Sequence, residues 1–352
     1  MKKKISIVGT VGIPACYGGF ESLVENLTLN TSDDISYTIY CSSKNYKKKL
    51  SNYNNAELIY IPLKANGIQS IPYDILSLVK CSLKKPDVVM ILGVSGCIFL
   101  PIFRLLSRSY IVTNIDGLEW KRDKWGKWTK RFLKLSEALA IRFSDAIITD
   151  NQAITNYVKD EYSIDSHTIA YGGDHAIRDV DVFSKDSYAL GICRIEPENN
   201  VLMILEAFSK TEEKIKFIGN WQASEFGRSM KNKYKEFSNI ELLEPIYDLD
   251  ELYKMRANCS VYVHGHSAGG TNPSLVEMMH FGVPILAFDC SFNRYSTEDK
   301  AHYFESSNSL IKLLENNEKT SFIENSLEMK DIATRRYTWE KITELYEGVY
   351  SQ

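Results

Sequence analysis

The chain has 352 residues, of which 44% are hydrophobic and 25% are charged, and its formal net charge is −3. These values predict a folded globular protein, and the length favours two domains. No stretch reaches the roughly 18 to 20 uninterrupted apolar residues of a transmembrane helix, and the initial MKKKISIVG leads into a strand pattern rather than a signal peptide. We therefore expect a cytoplasmic protein.

The first half of the chain alternates short apolar runs with longer amphipathic stretches, which is the rhythm of a doubly wound α/β domain. The predicted strands lie at 5–9, 36–41, 57–61, 87–92, 110–114, 145–149 and near 167–170. The predicted helices lie at 19–30, 72–83, 125–143 and 151–160. We expect these elements to form a Rossmann-like domain over residues 1–170.

A second series of the same kind follows, so the predicted fold class is α/β with two Rossmann-like doubly wound domains facing across a cleft. Its strands are predicted near 188–193, 215–218, 240–243, 260–263 and 285–288, and its helices near 199–209, 224–236, 248–256 and 274–281. The predicted organisation is a linker at 171–186, a second domain at 187–336, and a helix at 337–352 that packs back on the first domain.

Cysteine and histidine spacing argues against a metal site. The seven cysteines include no Cys-x-x-Cys pair, which favours free thiols over disulfides or zinc ligands. His264 and His266 flank Gly265 at a strand end, but no third ligand follows at useful spacing. We expect these histidines to form hydrogen bonds near a ligand.

Charge is divided unevenly along the chain. Residues 1–170 hold 22 Lys and Arg against 16 Asp and Glu, a net +6, while residues 171–352 hold 20 against 29, a net −9. A basic half suits an anionic surface or substrate, although a solvated face often has the same asymmetry. The sequence contains no zinc finger, basic zipper or similar nucleic-acid-reading module, so we expect no nucleic-acid partner.

The basic excess is concentrated between Lys121 and Lys134, where aromatic and apolar residues recur at steps of three and four. The basic residues are Lys124, Lys127, Lys130 and Arg131, and the apolar ones are Trp125, Trp128, Phe132 and Leu135. Such a helix can lie on an anionic membrane, with its tryptophans at headgroup level. A surface helix that packs its aromatic stripe into the core fits the same pattern.

The segment 264–289, HGHSAGGTNPSLVEMMHFGVPILAFD, joins a strand end, a glycine-rich turn and a helix start. Asn272, Pro273 and Ser274 supply a capping residue and residues favoured in a first turn, whose N–H groups point at an anion. Glu277 follows within about one turn, where a carboxylate can accept hydrogen bonds from sugar hydroxyls. The segment predicts a site for a phosphate and a ribose, although an ordinary strand–helix–strand unit has the same pattern.

The first predicted strand also ends in glycines, in GTVGIPACYGGFE, but their spacing is not GxGxxG. Gly18 and Gly19 lie just before a predicted helix, where they allow the chain to approach a phosphate closely. A purely conformational turn is the alternative.

Four segments, in chain order, resemble signature segments of bacterial retaining glycosyltransferases of family four: GIPACYGGFE, NIDGLEWKRDKWGKW, CRIEPENN and GGTNPSLVEMMHFGVPILAFD. The likeness reaches the terminal YTWEKITELYEGVY and is strongest to the β-1,4-rhamnosyltransferase branch of polysaccharide biosynthesis. It implies the GT-B architecture, with a nucleotide-sugar donor held mainly by the second domain and an acceptor by the first.

The resemblance assigns roles position by position. Glu277 matches the acid that binds the donor ribose, and Arg194 matches the cation that neutralises the donor diphosphate. Ser274 and Leu275 match helix-start residues whose N–H groups meet that diphosphate. The other predicted donor-side residues are Gly18, Gly19, His266, Gly269, Gly270, Thr271 and Asn272.

The first domain supplies the acceptor side of the prediction. Asp116, in NIDGLE after a strand, is the candidate for orienting the acceptor, with Gly117 giving a backbone contact and Glu119 a weaker candidate. A turn-capping role for Asp116 is the alternative. The acceptor or membrane side is completed by Lys124, Trp125, Lys127, Trp128 and Arg131.

Two positions depart from the family pattern. Gly269 stands where the family usually has a second acid, and Asn199 stands where it usually has a lysine. Rhamnose is a 6-deoxy sugar, and residues 269–272 can contact it through backbone N–H groups, so the first departure is compatible with this donor.

The predicted chemistry needs no metal and no other cofactor. Negative charge develops on the leaving diphosphate, and fixed donors from Arg194, residues 274–275 and the Gly18–Gly19 loop stabilise it. The resemblance implies front-face attack, in which the leaving phosphate takes the acceptor proton and the anomeric configuration is retained. With Asp116, Arg194 and Glu277 as catalytic candidates, no protein nucleophile is required.

The predicted function is transfer of L-rhamnose from dTDP-β-L-rhamnose to a polyprenyl-diphosphate-linked saccharide. We expect a peripheral enzyme on the anionic inner face of the plasma membrane. The alternatives are another donor, such as UDP-glucose or UDP-GlcNAc, and a non-catalytic scaffold that binds a nucleotide sugar. The sequence leaves a homodimer open.

Overall fold

The computed structural model describes residues 2–15, 18–115, 117–121, 125–181, 187–315 and 319–352. The chain divides into two compact units. Unit 1 comprises Met1–Tyr171 and Trp339–Gln352, and unit 2 comprises Gly172–Thr338. Both are Rossmann-like α/β domains built on a largely parallel sheet, which confirms the prediction of an α/β fold with two Rossmann-like domains.

Unit 1 is built on a sheet that has eight strands among the described residues, in the order β3-β4-β2-β1-β5-β6-β7-β8. The strands are β1 Lys3–Val8, β2 Ile35–Ser42, β3 Asn52–Tyr53, β4 Ala56–Ile61, β5 Val88–Leu92, β6 Tyr110–Asn114, β7 Ala146–Thr149 and β8 His167–Thr168. All pairings are parallel except that of β3 with β4. The apolar run of β5 is buried along its whole length, as expected for a central parallel strand covered on both faces.

Helices cover the sheet of unit 1: α1 Gly19–Leu29, α2 Ser70–Lys84, α3 Leu100–Leu106, α4 Lys127–Phe143, α5 Gln152–Tyr162 and the C-terminal α13 Trp339–Tyr350. The helix α13 belongs to this unit although it is last in the chain. Its Tyr346 hydroxyl accepts a hydrogen bond from Asn114 Nδ2 at 2.8 Å, at the end of β6.

Unit 2 has an all-parallel sheet, with the strand order β11-β10-β9-β12-β13-β14 among the described residues. The strands are β9 Ala189–Ile192, β10 Ile215–Ile218, β11 Ile240–Leu243, β12 Val261–His264, β13 Ile285–Phe288 and β14 His302–Phe304. The helices are α6 Val201–Phe208, α7 Glu225–Tyr234, α8 Leu249–Asn258, α9 Pro273–Met279, α10 Ser291–Ser296, α11 Ser307–Glu315 and α12 Lys319–Arg336. Strand order therefore reverses between β9 and β12, which makes a topological switch point.

Several elements differ from the sequence-based predictions. Strands β3 and β14 and helices α3, α10, α11 and α12 were not predicted, because they are short or lack a clear apolar period. Helix α4 begins at Lys127 and follows Gly126, which is its N-cap residue. Residues 172–181 of the predicted linker lie in unit 2 and include a 3₁₀ turn at Asp174–Ala176, while residues 182–186 lie outside the described residues.

Two findings concern the whole described chain. No disulfide joins any of the six cysteines that the structure describes. Across the described ranges, no helix combines the length and the apolar character that crossing a membrane requires.

Candidate donor site

The loops that follow β9 and β12 meet at the switch point of unit 2. The first contains Arg194 and the second spans residues 265–272. They are joined by hydrogen bonds from Asn200 Nδ2 to the Gly265 carbonyl at 2.9 Å and from the Ser267 hydroxyl to the Glu198 carbonyl at 2.7 Å. The carboxyl ends of strands at a switch point are where doubly wound folds bind ligands, and Arg194 and the predicted donor residues at 266–272 lie at these ends.

Helix α9 begins as the Asn-Pro-Ser sequence predicts. Asn272 is the N-cap, and its side-chain oxygen accepts from the Ser274 amide at 3.0 Å and from the Ser274 hydroxyl at 2.7 Å. The Leu275 amide donates to the Asn272 carbonyl at 3.1 Å. Both amides assigned to the diphosphate are thus engaged by Asn272, and a phosphate oxygen would have to share or replace these bonds.

Glu277 is the fifth residue of α9, so it lies in the second turn rather than the first. Its Oε2 accepts a charge-assisted hydrogen bond from Arg256 of α8, and its Oε1 lies 3.3 Å from His175 Nε2. Burial by itself raises the pKa of Glu277, but the charge of Arg256 and the contact with His175 outweigh it, so the pKa falls below its usual range. The carboxylate is therefore ionised and held from two directions.

The segment that carries His175 packs tightly against α9. A Cβ added at Gly173 would lie 2.7 Å from the Glu277 nitrogen and from the Val276 carbonyl oxygen, so only glycine permits this approach. The Gly173 amide donates to the Tyr337 carbonyl at 2.8 Å, and His280 Nε2 lies 2.9 Å from the same oxygen. These contacts fix His175 beside Glu277.

Arg194 is available to an anion. Its side chain is 55% exposed, and its guanidinium lies 4.0 Å from the nearest Glu196 oxygen. The buried Asn199 amide donates to the Arg194 carbonyl at 2.7 Å. Asn199, at the position where the family usually has a lysine, therefore supports the Arg194 loop instead of supplying a second cation.

The glycine loop leaves space at the position of the missing acid. Gly269 has a φ of +117°, a conformation that L side chains rarely adopt, and no atom lies within 4 Å of the place where its Cβ would be. Gly270 is half-buried and Thr271 is buried, at 4% exposure. Gly269 thus combines a backbone suited to glycine with open surroundings.

His264 and His266 stack with ring centroids 4.5 Å apart. Burial lowers the pKa of His264 well below its usual value, with a further contribution from His266, so the His264 ring is neutral near pH 7. His264 Nδ1 lies 3.4 Å from the Tyr262 hydroxyl, which donates to Ser274 Oγ at 3.1 Å. This network connects the end of β12 to the start of α9.

In unit 1, Gly18 lies beside Glu21, and Gly19 lies next to the Tyr171 ring. Gly18 has a φ of +90° and is the N-cap of α1, which begins at Gly19. Glu21 Oε1 accepts from the Thr10 hydroxyl at 2.9 Å and from the Val11 amide at 2.7 Å. Burial raises the pKa of Glu21, although both bonds oppose that shift. Glu21 therefore ties the start of α1 to the loop after β1.

Two of the acceptor-side candidates, Asp116 and Lys124, lie outside the described residues. Gly117 is half-buried, and its carbonyl accepts from the Glu119 amide at 2.7 Å. Glu119 Oε2 accepts from Trp125 Nε1 at 3.0 Å. The Glu119 carboxylate is thus hydrogen-bonded to Trp125, another of the predicted acceptor-side residues.

Helix α4 exposes part of its predicted aromatic stripe. Trp128 is 80% exposed and Leu135 is 54% exposed, with the Arg131 guanidinium 5.4 Å from the Trp128 ring centroid. Lys127 is also exposed. The buried face of the helix instead consists of Ser136, Glu137, Ala140 and Ile141. The alternative prediction, in which the aromatic stripe packs into the core, is therefore wrong for Trp128 and Leu135.

The unit that holds Glu277 matches a known protein family. Residues 174–329 match the family model described as Glycosyl transferases group 1. The chain carries a glycosyltransferase group 1 domain. Residues 2–174, which precede this domain, match a model described as Domain of unknown function (DUF1972).

Solved structures share the fold of the whole chain. Sucrose-phosphate synthase from Thermosynechococcus elongatus has a TM-score of 0.82 at 12% identity, over 100% of this chain and 99% of that one. Anabaena Alr3699/HepE in complex with UDP-glucose has a TM-score of 0.72 at 13% identity, over 100% of both chains. A glycosyltransferase from Rickettsia africae has a TM-score of 0.71 at 10% identity, over 99% of this chain and 98% of that one. No curated protein matches the sequence.

Sequence reasoning missed Arg256 and His175, the two partners of Glu277 in the glycosyltransferase domain. Neither residue stands at a recognisable spacing from Glu277, because they come from α8 and from the 3₁₀ turn at Asp174–Ala176. A helical arginine that is only 7% exposed requires a partner, but the sequence does not identify that partner.

A second buried carboxylate, also missed, organises unit 1. Glu137 is 3% exposed and accepts hydrogen bonds from Trp120 Nε1 at 3.1 Å, Tyr157 at 2.6 Å and Tyr162 at 2.7 Å. Lys134 Nζ lies 3.3 Å from the same carboxylate. This cluster joins α4 to α5 and to the 3₁₀ turn at Glu119–Lys121.

The segment that follows β13 contains three polar residues, Arg294 in α10 and Thr297 and Glu298 directly after it. Arg294 forms a paired contact with Asp289, at 2.6 and 2.7 Å. Thr297 is fully buried and donates to the Asn293 carbonyl at 2.7 Å. Glu298 accepts from Arg335 at 2.8 Å. These groups stabilise the glycosyltransferase domain internally.

Proposed function

We propose that the chain is a retaining transferase that moves L-rhamnose from dTDP-β-L-rhamnose to a polyprenyl-diphosphate-linked saccharide. The observation that carries the proposal is the ionised Glu277 carboxylate at the switch point of a glycosyltransferase group 1 domain. A charged carboxylate is a strong acceptor for the hydroxyl of a nucleoside sugar. The exposed Arg194 guanidinium, in the loop after β9 at the same switch point, suits the donor diphosphate.

The 6-deoxy donor is supported by the glycine loop. A hexose with a full set of hydroxyls binds more tightly when an acidic side chain accepts hydrogen bonds from them. Gly269 has no side chain and provides no such acceptor. Rhamnose has a methyl group in place of one hydroxyl, so fewer hydroxyl donors are left without an acceptor in the pocket. The open space around Gly269 accommodates the sugar without a side-chain contact.

The proposed reaction is a displacement without a protein nucleophile. The bond between the anomeric carbon and the diphosphate oxygen breaks, and the acceptor oxygen forms its bond to the same face of the sugar. The acceptor proton passes to the leaving phosphate oxygen, so a β-L-rhamnoside is formed with retention. Arg194 stabilises the leaving charge, Asp116 orients the acceptor, and no metal or other cofactor is required.

The acceptor is proposed to be lipid-linked, so we also propose that the enzyme is cytoplasmic and peripheral on an anionic membrane. The support is the exposed Trp128 ring with Arg131 and Lys127 on the same helix. An exposed tryptophan among basic residues is suited to the headgroup region of an anionic bilayer.

The test uses the full chain, vesicles carrying a polyprenyl-diphosphate-linked saccharide, and a panel of donors. dTDP-rhamnose should give a product one deoxyhexose heavier by mass spectrometry, and its anomeric coupling should report a β-L linkage. An α-L product would contradict retention. Nucleotide binding without any product, across all donors and acceptors, would favour the scaffold alternative.

A second donor, UDP-glucose, stays a candidate because the structurally similar Anabaena protein is in complex with it. The same panel separates the two donors. Turnover with UDP-glucose or UDP-GlcNAc, with none from dTDP-rhamnose, would replace the proposed donor and leave the glycosyltransferase domain in place.

A further inference from the structure

The two oxygens of the Glu277 carboxylate have different surroundings. Oε2 accepts from Arg256, whose side chain is only 9% exposed. Oε1 faces His175, whose side chain is 35% exposed. The Glu277 side chain itself is 14% exposed, and the more exposed of its two partners is the one on the Oε1 side.

Arg256 is placed to keep Oε2 turned into the protein. It lies in the last turn of α8, where its carbonyl accepts from the thiol of the C-cap residue Cys259 at 3.1 Å. A buried guanidinium that lost its carboxylate would leave an uncompensated charge, so exchanging Arg256 for a ligand hydroxyl at Oε2 is unfavourable. The contact between Arg256 and Glu277 is therefore expected to persist when a ligand binds.

We propose that Arg256 is a positioning residue that commits Oε2 of Glu277 to the protein, so that the pocket reads one hydroxyl of the nucleoside sugar through Oε1. The inference rests on the proposed function, in which Glu277 faces the donor nucleoside. A ribose offers two adjacent hydroxyls to a carboxylate, and a 2′-deoxyribose offers one. The site therefore gains little from a second hydroxyl at the 2′ position, because only Oε1 is available to the nucleoside sugar.

The first experiment compares three nucleotides that share a base, by calorimetry on the wild-type chain. UDP and 2′-deoxy-UDP should bind within about twofold of each other, and 2′,3′-dideoxy-UDP should bind at least about tenfold more weakly. UDP binding tenfold or more tightly than 2′-deoxy-UDP would overturn the inference while leaving the nucleotide site intact. Binding of none of the three, nor of dTDP, would remove the proposed function and the inference together.

The second experiment changes the positioning residue and follows the ratio of the two affinities. Arg256→Met frees Oε2, so the preference for UDP over 2′-deoxy-UDP should rise to about tenfold, the effect of one added charge-assisted hydrogen bond. Arg256→Lys keeps a cation at Oε2 and should restore a ratio near one. A purely structural role would weaken both nucleotides equally and leave the ratio unchanged, which would contradict the proposal.

A second arginine–carboxylate contact of helix α8 provides a control. Arg178 pairs with Asp250 of α8, and both side chains are well exposed. Arg178→Met removes an arginine–carboxylate contact that does not include Glu277, and it should leave both affinities and their ratio unchanged. If Arg256→Met does not fold, the wild-type nucleotide series decides the proposal by itself.

Discussion

The exchange Glu277→Gln tests the role of the carboxylate with little change in shape. Glutamine keeps the side-chain volume, and its carbonyl oxygen can still accept from Arg256, so the internal contact is weakened but not removed. Glu277→Ala is less informative, because it leaves the buried guanidinium of Arg256 without a partner, at a cost of about 3–5 kcal/mol in stability. Loss of folding would then be confused with loss of binding.

The expected magnitude follows from one hydrogen bond to a charged acceptor. Such a bond contributes about 1.5–3 kcal/mol, and each 1.4 kcal/mol corresponds to about a factor of ten in affinity. Glu277→Gln should therefore weaken dTDP binding by about tenfold to a hundredfold, measured by calorimetry near pH 7. Thermal unfolding of the same samples shows whether the variant is folded at the assay temperature.

Glu206→Gln provides the control for this prediction. Glu206 lies on α6 of the same unit, where it pairs with Lys210 at 2.7 Å and accepts from the Ser307 hydroxyl at 3.1 Å. This substitution should leave the dTDP affinity within about twofold of the wild type. A folded Glu277→Gln variant with the same small effect would refute the assignment of Glu277 to the nucleoside.

Four further substitutions probe other parts of the structure. Gly173→Ala places a Cβ 2.7 Å from the backbone of α9, so it should lower the unfolding free energy by about 1–3 kcal/mol and weaken dTDP binding; wild-type values for both would contradict the packing argument. Glu137→Gln should lower the stability of unit 1 by about 1–3 kcal/mol with unchanged dTDP affinity, and an unchanged denaturation midpoint would count against the cluster. Burial raises the pKa of Asp74 to about 7, so its contribution to stability is present at low pH and lost as pH rises through 7; Asp74→Asn should flatten that loss in denaturant titrations, and parallel pH profiles would contradict it. Trp128→Ala should reduce flotation with anionic vesicles at constant melting temperature, and equal flotation would argue against the membrane proposal.

Local sequence signals predicted most of the scaffold. The strands at 110–114, 215–218, 240–243 and 285–288 were placed at their observed bounds, because a short apolar run between turn residues is a local feature. The cap of α9 was predictable for the same reason, since Asn272, Pro273 and Ser274 are adjacent.

The contacts of Glu277 were not predictable in the same way. Arg256 is 21 residues away in sequence, and His175 precedes the first strand of the unit. Only the parallel topology brings α8, α9 and this segment together. The sequence indicated an acid suited to a sugar hydroxyl, but it did not indicate which protein groups contact its two oxygens.

The orientation of α4 shows a different limit. Spacing at three and four residues indicates one apolar face, but it does not decide whether that face is covered. The buried face carries Glu137, because Trp120, Tyr157 and Tyr162 all donate to it. A carboxylate with those partners can be buried, which leaves Trp128 on the exposed side.

The most direct test of the account is transfer from a panel of nucleotide sugars to a lipid-linked saccharide. Wild-type enzyme with dTDP-rhamnose should yield a β-L-rhamnosylated product, and Glu277→Gln should reduce that yield at low donor concentration. Product from UDP-glucose or UDP-GlcNAc, with none from dTDP-rhamnose, would contradict the proposed donor.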